Sequence, residues 1–207
     1  MSANITMVKD TREKILEAGL KLFSEKGYLG ATTKEIAQKA GVAELTLFRH
    51  FTSKENLFEE MMSAYSFLPA LKGLLPGLKE MSYGEALEEI AGTFLQRLNE
   101  RRHLVRIMQR EIHLYPSKAR EVYQNFIGEI IRTLASYFRE LQEKGVLREF
   151  SPELGARAFL GMFFSYFNTQ ELAVSREHRF TDKENVVEEF VGIFVRGTIE
   201  KRREQEA

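Results

Sequence analysis

Apolar residues recur along the chain at three- and four-residue spacing, and strand-like alternation between Gly/Asn turn pairs is missing. The pattern therefore predicts an all-helical fold. Residues 1–8 read as a loose arm. Asp10 with Glu13 three positions on predicts a capping-box start, Ile15, Ala18, Leu22 and Phe23 then form one apolar stripe, and Gly27 stops the helix. Thr32 and Glu35 repeat the box for a second helix with Ile36, Ala37 and Ala40 on its inner face, and Gly41 ends it. A third, very short helix is expected over 44–50. Thr52 with Glu55 is expected to cap a fourth that carries Leu57, Phe58, Met61, Met62 and Tyr65. Two of the chain's four prolines, Pro69 and Pro76, fall with Gly73 and Gly77 in 67–82, which predicts a broken, partly apolar connector. Longer helices are expected over 83–99, 102–114, 117–144, 152–174 and 182–202, with Ser117, Gly145, Ser151 and Asp182 as punctuation.

Composition narrows the class without choosing a function. At 207 residues, 43% apolar and 29% charged, the chain is long enough to bury a substantial core. It has no cysteine, so disulfides and thiolate metal sites are excluded. No signal sequence opens it, and its longest apolar run, 158–167, is far short of the ~20 residues a membrane span needs. A soluble, cytoplasmic protein that does not enter the membrane is expected. Thirty Lys and Arg balance thirty Asp and Glu, whereas a nucleic-acid binder usually carries a basic footprint. Between positions 32 and 54, Lys34, Lys39, Arg49 and Lys54 outnumber Glu35 and Glu44 by two, with His50 beside them. Such a surface neutralises only a few phosphates per subunit and calls for binding as a dimer.

The segment 32–58, TTKEIAQKAGVAELTLFRHFTSKENLF, holds the clearest functional signal. Two short helices joined by a Gly-Val-Ala turn, followed at once by the start of another, form the helix-turn-helix that lays one helix in the DNA major groove. Val42, Leu47 and Phe51 have the spacing to pack on the first two helices. Ala43, Glu44, Leu45, Thr46, Phe48, Arg49 and His50 then fall toward solvent or DNA. Thr46 is a base hydrogen-bonding candidate, Leu45 and Ala43 suit a thymine methyl, and Glu44 can accept from a cytosine amine. Arg49, His50 and Lys54 suit phosphates, as does Thr33 with its nearby backbone amides. The competing reading is a helical hairpin that never meets nucleic acid.

These residues resemble the DNA-binding domain of the TetR family of bacterial transcriptional repressors. The likeness runs over about 11–61 and rests on LFSEKGY, ATTKEIAQKAGVA, TLFRHF and SKENLF in that order. It implies that Thr33, Thr46, Phe48, His50 and Lys54 fall where the family touches DNA. The family commonly has Ser at Ala43, Gly or Ala at Leu45, and Tyr at Phe48. Two hydroxyls are thus missing, Leu45 adds an apolar reader, and the family's operators do not carry over. The implied organisation is a helix-turn-helix DNA-binding domain of three helices at 1–52, a connecting helix at 53–66, and a larger helical effector-binding and dimerisation domain at 67–207.

In the C-terminal part, the helix expected at 152–174 is apolar almost all round, with Leu154, Phe159, Leu160, Met162, Phe163, Phe164, Tyr166 and Phe167. The last helix offers Val187, Phe190, Val191, Phe194 and Thr198, with Gly192 and Gly197 allowing close approach. Two such helices from each of two subunits would form a symmetric interface, so a homodimer through the last two helices on a palindromic operator is expected. An entirely intramolecular bundle is the alternative. By resemblance the domain binds a small, often apolar effector. The candidate lining is Phe94, Leu98, Met108, Tyr123, Phe126, Ile127, Phe163, Tyr166 and Phe167, with His113, Asn168 or Gln170 as polar handles. Phe and Met at helical spacing serve equally well as plain core. His50, His103, His113 and His178 lie far apart in sequence and read as solvated or hydrogen-bonded side chains, and no phosphate loop, nucleophile elbow or zinc motif is present. The expectation is a ligand-responsive repressor, not an enzyme, with no cofactor or metal. A DNA-binding regulator answering to a protein partner, or to nothing, is the alternative.

Overall fold

The computed structural model describes residues 10–172 and 183–200. The arm expected at 1–8, His178, Asp182 and the helix ends expected at Val174 and Arg202 lie outside the described residues. Among those described, the chain is helical without a strand. The helices are α1 (Thr11–Gly30), α2 (Thr33–Ala40), α3 (Glu44–His50), α4 (Lys54–Tyr65), α5 (Phe67–Leu74), α6 (Tyr83–Glu100), α7 (Arg102–Glu111), α8 (Ser117–Glu143), α9 (Pro152–Leu172) and α10 (Lys183–Thr198). Single 3-10 turns cover Gly77–Glu80 and Ile112–Leu114.

Local chemistry accounts for most boundaries and corrects several expectations. The Thr32–Glu35 capping box forms in full, and Gly41 closes α2 at φ 72°, a left-handed conformation that glycine adopts without a Cβ penalty. Gly27 breaks the helical path of α1 at φ 74°, as expected of a stop, although Tyr28 to Gly30 continue as a further turn. The Asp10 side chain makes no cap hydrogen bond, so the first turn of α1 is closed by the backbone bond from Lys14 to Asp10. Helix α4 begins one residue later than Thr52 would allow. Ser53 is therefore the cap, its Oγ accepting the Asn56 N–H at 3.1 Å. The expected connector is largely a helix, because Pro69 falls in the first turn of α5, where a missing N–H costs nothing, and Ser66 caps it. Helix α10 stops at Thr198, since Ile199 pairs with Leu147 in an isolated antiparallel bridge.

Contacts divide the chain into two compact units. The first joins the residues up to Tyr65 to Arg101–Phe126. Its core packs Tyr28 and Phe58 against each other and each against Phe23 and Tyr115, with Leu104 and Met108 of α7 buried in the same cluster as Ile15, Ile36 and Leu47. The second unit comprises Ser66–Glu100 and the residues from Ile127 onward. Phe138, Phe159, Phe163, Phe190 and Phe194 pack ring against ring at its centre, and the Tyr83 and Thr198 hydroxyls meet at 3.0 Å.

One sequence expectation is reversed in this unit. Val191, Phe194 and Thr198, expected to face a partner, are buried inside the subunit, because Phe194 closes the ring cluster around Phe138 and Phe159. The outward face of α10 instead carries Glu189, Ile193, Arg196 and Gly197. No helix among the described residues is long and apolar enough to cross a membrane.

Candidate nucleic-acid interface

The short helix α3 is held from behind. Leu47 and Phe51 are fully buried, and Val42 is partly buried against the same core. The turn is fixed by the backbone bonds from Gly41 to Gln38 (3.1 Å) and from Val42 to Ala37 (3.0 Å). The Arg12 guanidinium sits 5.5 Å from the Phe51 ring centroid and pairs with Glu60, tying α1, α4 and the end of α3 together. With its inner face locked, α3 turns Leu45 and Phe48 outward at 66% and 42% exposure. Ala43, Arg49 and His50 are exposed with them, and Thr46 is half-buried. Leu45 and Phe48 together give α3 an open apolar side that suits contact with another surface.

The remaining predicted contacts are tied into the protein. Thr33 Oγ1 donates to Glu44 Oε1 at 2.7 Å, joining the start of α2 to the start of α3. The Lys54 ammonium lies 4.5 Å above the Tyr28 ring centroid, and burial lowers its pKa against the opposing pull of Glu55 and Glu35. Tyr28 in turn donates its hydroxyl to Glu55 Oε1 at 2.8 Å, which draws the Glu55 carboxyl down, while burial raises the Tyr28 phenol. Glu35 is held to about 2 by the Lys26 ammonium at 2.7 Å and by the Thr32 backbone and hydroxyl.

Two features escaped the sequence reading. Gln38 stands exposed on α2 one turn from Lys34, which the basic surface already includes, a spacing that could have flagged it as a further groove candidate. The second is the location of the positive charge. Residues up to Tyr65 hold nine basic and nine acidic side chains, whereas Arg101–Phe126, in the same compact unit, holds six basic against two acidic. The surplus of this unit thus lies on α7 and the start of α8, and only the long-range burial of Leu104, Met108 and Tyr115 reveals which unit it belongs to.

The candidate effector residues are distributed over both units. Phe94, Leu98, Ile127, Phe163, Tyr166, Phe167 and Gln170 belong to the second, and Met108, His113, Tyr123 and Phe126 to the first. Phe163 and Phe94 are packed on other rings (Phe159 and Phe67), and His113 is exposed. Tyr166, Asn168 and Gln170 each have an interaction within the protein. A recess of about 490 Å³ on the second unit is lined by Glu80, Met81, Glu85, Glu88 and Glu89, an acidic surface unlike the apolar enclosure expected for an effector. No group of three or more His or acidic residues suited to a metal occurs among the described residues.

Comparison with known proteins covers both halves of the chain. Residues 15–61 match the family described as bacterial regulatory proteins, tetR family. Residues 85–197 match the AefR-like transcriptional repressor C-terminal domain. The HTH-type transcriptional regulator YvkB of Bacillus subtilis is 29% identical over 92% of this chain and 98% of its own. A TetR-family transcriptional regulator from Mesorhizobium loti superposes with a TM-score of 0.72 at 26% identity, over 91% of this chain and 96% of that one. The transcriptional regulator FadR from Bacillus subtilis, in complex with stearoyl-CoA, has a TM-score of 0.70 at 18% identity, over 89% and 98% of the two chains, and is alike in fold.

Proposed function

This chain belongs to the TetR family of bacterial regulatory proteins, and from that premise we propose that it is a homodimeric repressor released from a palindromic operator by a small apolar effector. One observation carries the DNA-reading half: α3 buries Leu47 and Phe51 while leaving Leu45 and Phe48 open. A helix braced on one side and greasy on the other can enter the major groove and meet thymine methyls. Arg49 and His50, exposed at its end, then take phosphates. No catalytic role is assigned.

The homodimer is supported by what the second unit leaves uncovered. On α9, Leu154 is 66% exposed and shares a stripe with the small, exposed Ala158, Gly161 and Ser165. On α10, Ile193 is 54% exposed beside Gly197. Two copies laid face to face would bury these residues in a self-complementary four-helix contact.

The apolar effector is supported by the aromatic richness of the second unit and by the fold it shares with FadR, which holds stearoyl-CoA. Release then follows from linkage. An effector that binds better when the reading heads are mis-spaced for successive turns of DNA, about 34–36 Å apart, lowers operator affinity by its own preference. Gel shift against genomic fragments tests the DNA half. Specific retardation, abolished by Phe48→Ala, is the expected result, and indifference to duplex DNA at low salt would defeat the proposal.

A further inference from the structure

Two side chains that the sequence offers as separate DNA contacts are bonded to each other: Thr33 Oγ1 donates to Glu44 Oε1 at 2.7 Å across the turn between α2 and α3. A hydroxyl whose proton is committed to a carboxylate does not give it to a phosphate, and the negative charge beside it repels one. Thr33 is therefore poorly suited to the phosphate role. What the bond creates instead is a carboxylate of fixed position at the first residue of the reading helix, next to exposed Leu45. Its place in the first turn also suits the helix dipole. Side-chain freedom that would otherwise be lost on docking is already spent, and such pre-organisation sharpens discrimination.

The chemistry of that group is one-sided. A carboxylate only accepts hydrogen bonds. In the major groove guanine shows O6 and N7, and thymine O4, all acceptors that oppose it. Adenine offers its N6 amine between two acceptors, its own N7 and the paired thymine O4, whereas the cytosine N4 amine has an acceptor on one side only, the paired guanine O6. With Oε1 engaged by Thr33, Oε2 remains to take the amine proton. We propose that Glu44, positioned by Thr33, selects a C·G pair at one fixed place in each operator half-site. The inference rests on α3 being the DNA-reading helix. It makes Glu44 a specificity residue and Thr33 its positioning residue.

Selection of duplexes from a random library by the full-length chain tests it, with Glu44→Gln, Glu44→Ala, Thr33→Val and Thr33→Ser run alongside and melting curves showing that each variant is folded. The wild type should enrich an inverted repeat with cytosine at one invariant position per half-site. Glu44→Gln should move that position toward adenine, whose N6 and N7 suit an amide, and leave the others alone. Thr33→Val should relax the preference there by on the order of tenfold, and Thr33→Ser should restore it. If Glu44→Gln fails to fold, Glu44→Ala must lose the cytosine preference without gaining another. An inverted repeat unchanged at every position by the Glu44 variants would overturn the role of Glu44 while leaving the repressor reading intact. Enrichment of no duplex at all would overturn both.

Discussion

At the scale of single residues, α3 has two faces only one residue apart in sequence, and they make opposite predictions. Leu47 is fully buried, so Leu47→Ala leaves a cavity beneath the reading helix and should cost about 2–5 kcal/mol, measured by denaturant unfolding. Phe48 is 42% exposed, so Phe48→Ala should leave the unfolding midpoint nearly unchanged while abolishing operator retention. A large loss of stability in the second variant would place Phe48 in the core and sink the reading of α3. Arg49, exposed at the end of the helix, has a different signature. Arg49→Ala should weaken binding to all duplexes alike and lower the salt-dependence slope by about one, and a loss confined to one sequence would contradict its phosphate role.

At the scale of elements, what could be read from sequence tracks how locally each signal is encoded. The limits of α2 and α3 were legible because Thr32, Glu35 and Gly41 act within one turn of themselves. Glu35 carries a pH consequence. Its carboxyl is held at about 2 by Lys26 and Thr32, below the ordinary 4.5, so its contribution to stability is fully present above about pH 5 and fades as pH falls toward 2. The difference in melting temperature between wild type and Glu35→Gln should accordingly be widest near neutrality and close in acid, and a constant difference would deny the pairing. Other features were not legible for physical reasons. Pro69 reads as a breaker unless one knows that Ser66 starts a helix just before it, which makes its missing N–H harmless. The inward turn of Val191, Phe194 and Thr198 is decided by rings on α8 and α9, about 30 residues or more away in sequence. The bond from Thr33 to Glu44 depends on the angle the Gly41 turn imposes, which no spacing rule supplies. The same holds for Lys54, whose ammonium lies over the ring of Tyr28, far from it in sequence.

At the scale of the whole molecule, the chain has no net charge, and the basic surplus of the unit that holds α3 lies on Arg101–Phe126, so the first segment, equal in basic and acidic count, adds little general attraction for DNA of its own. Affinity must then come from shape and from doubling the contacts, which makes dimerisation part of recognition. Gly161 lies in the exposed stripe of α9, and a Cβ added there meets nothing within 4 Å among the described residues. Gly161→Arg should therefore keep the fold, yield a monomer by sedimentation, and lose operator binding with it. A dimeric Gly161→Arg would move the interface off α9. Thermal shift with fatty acyl, aromatic and cationic compounds addresses the effector. An apolar ligand at a hundred times its Kd should add about 2.7 kcal/mol of stability, and silence across the panel would favour a regulator that answers to a protein partner. The central claim, that α3 is offered outward to read bases, is tested most directly by fluorescence-anisotropy titration of the full chain with a selected inverted repeat and with its scrambled counterpart at physiological salt. The account predicts a preference for the repeat of at least on the order of a thousandfold, which collapses in Phe48→Ala at an unaltered melting temperature. Equal affinity for the two duplexes, or an undiminished preference in Phe48→Ala, would contradict it.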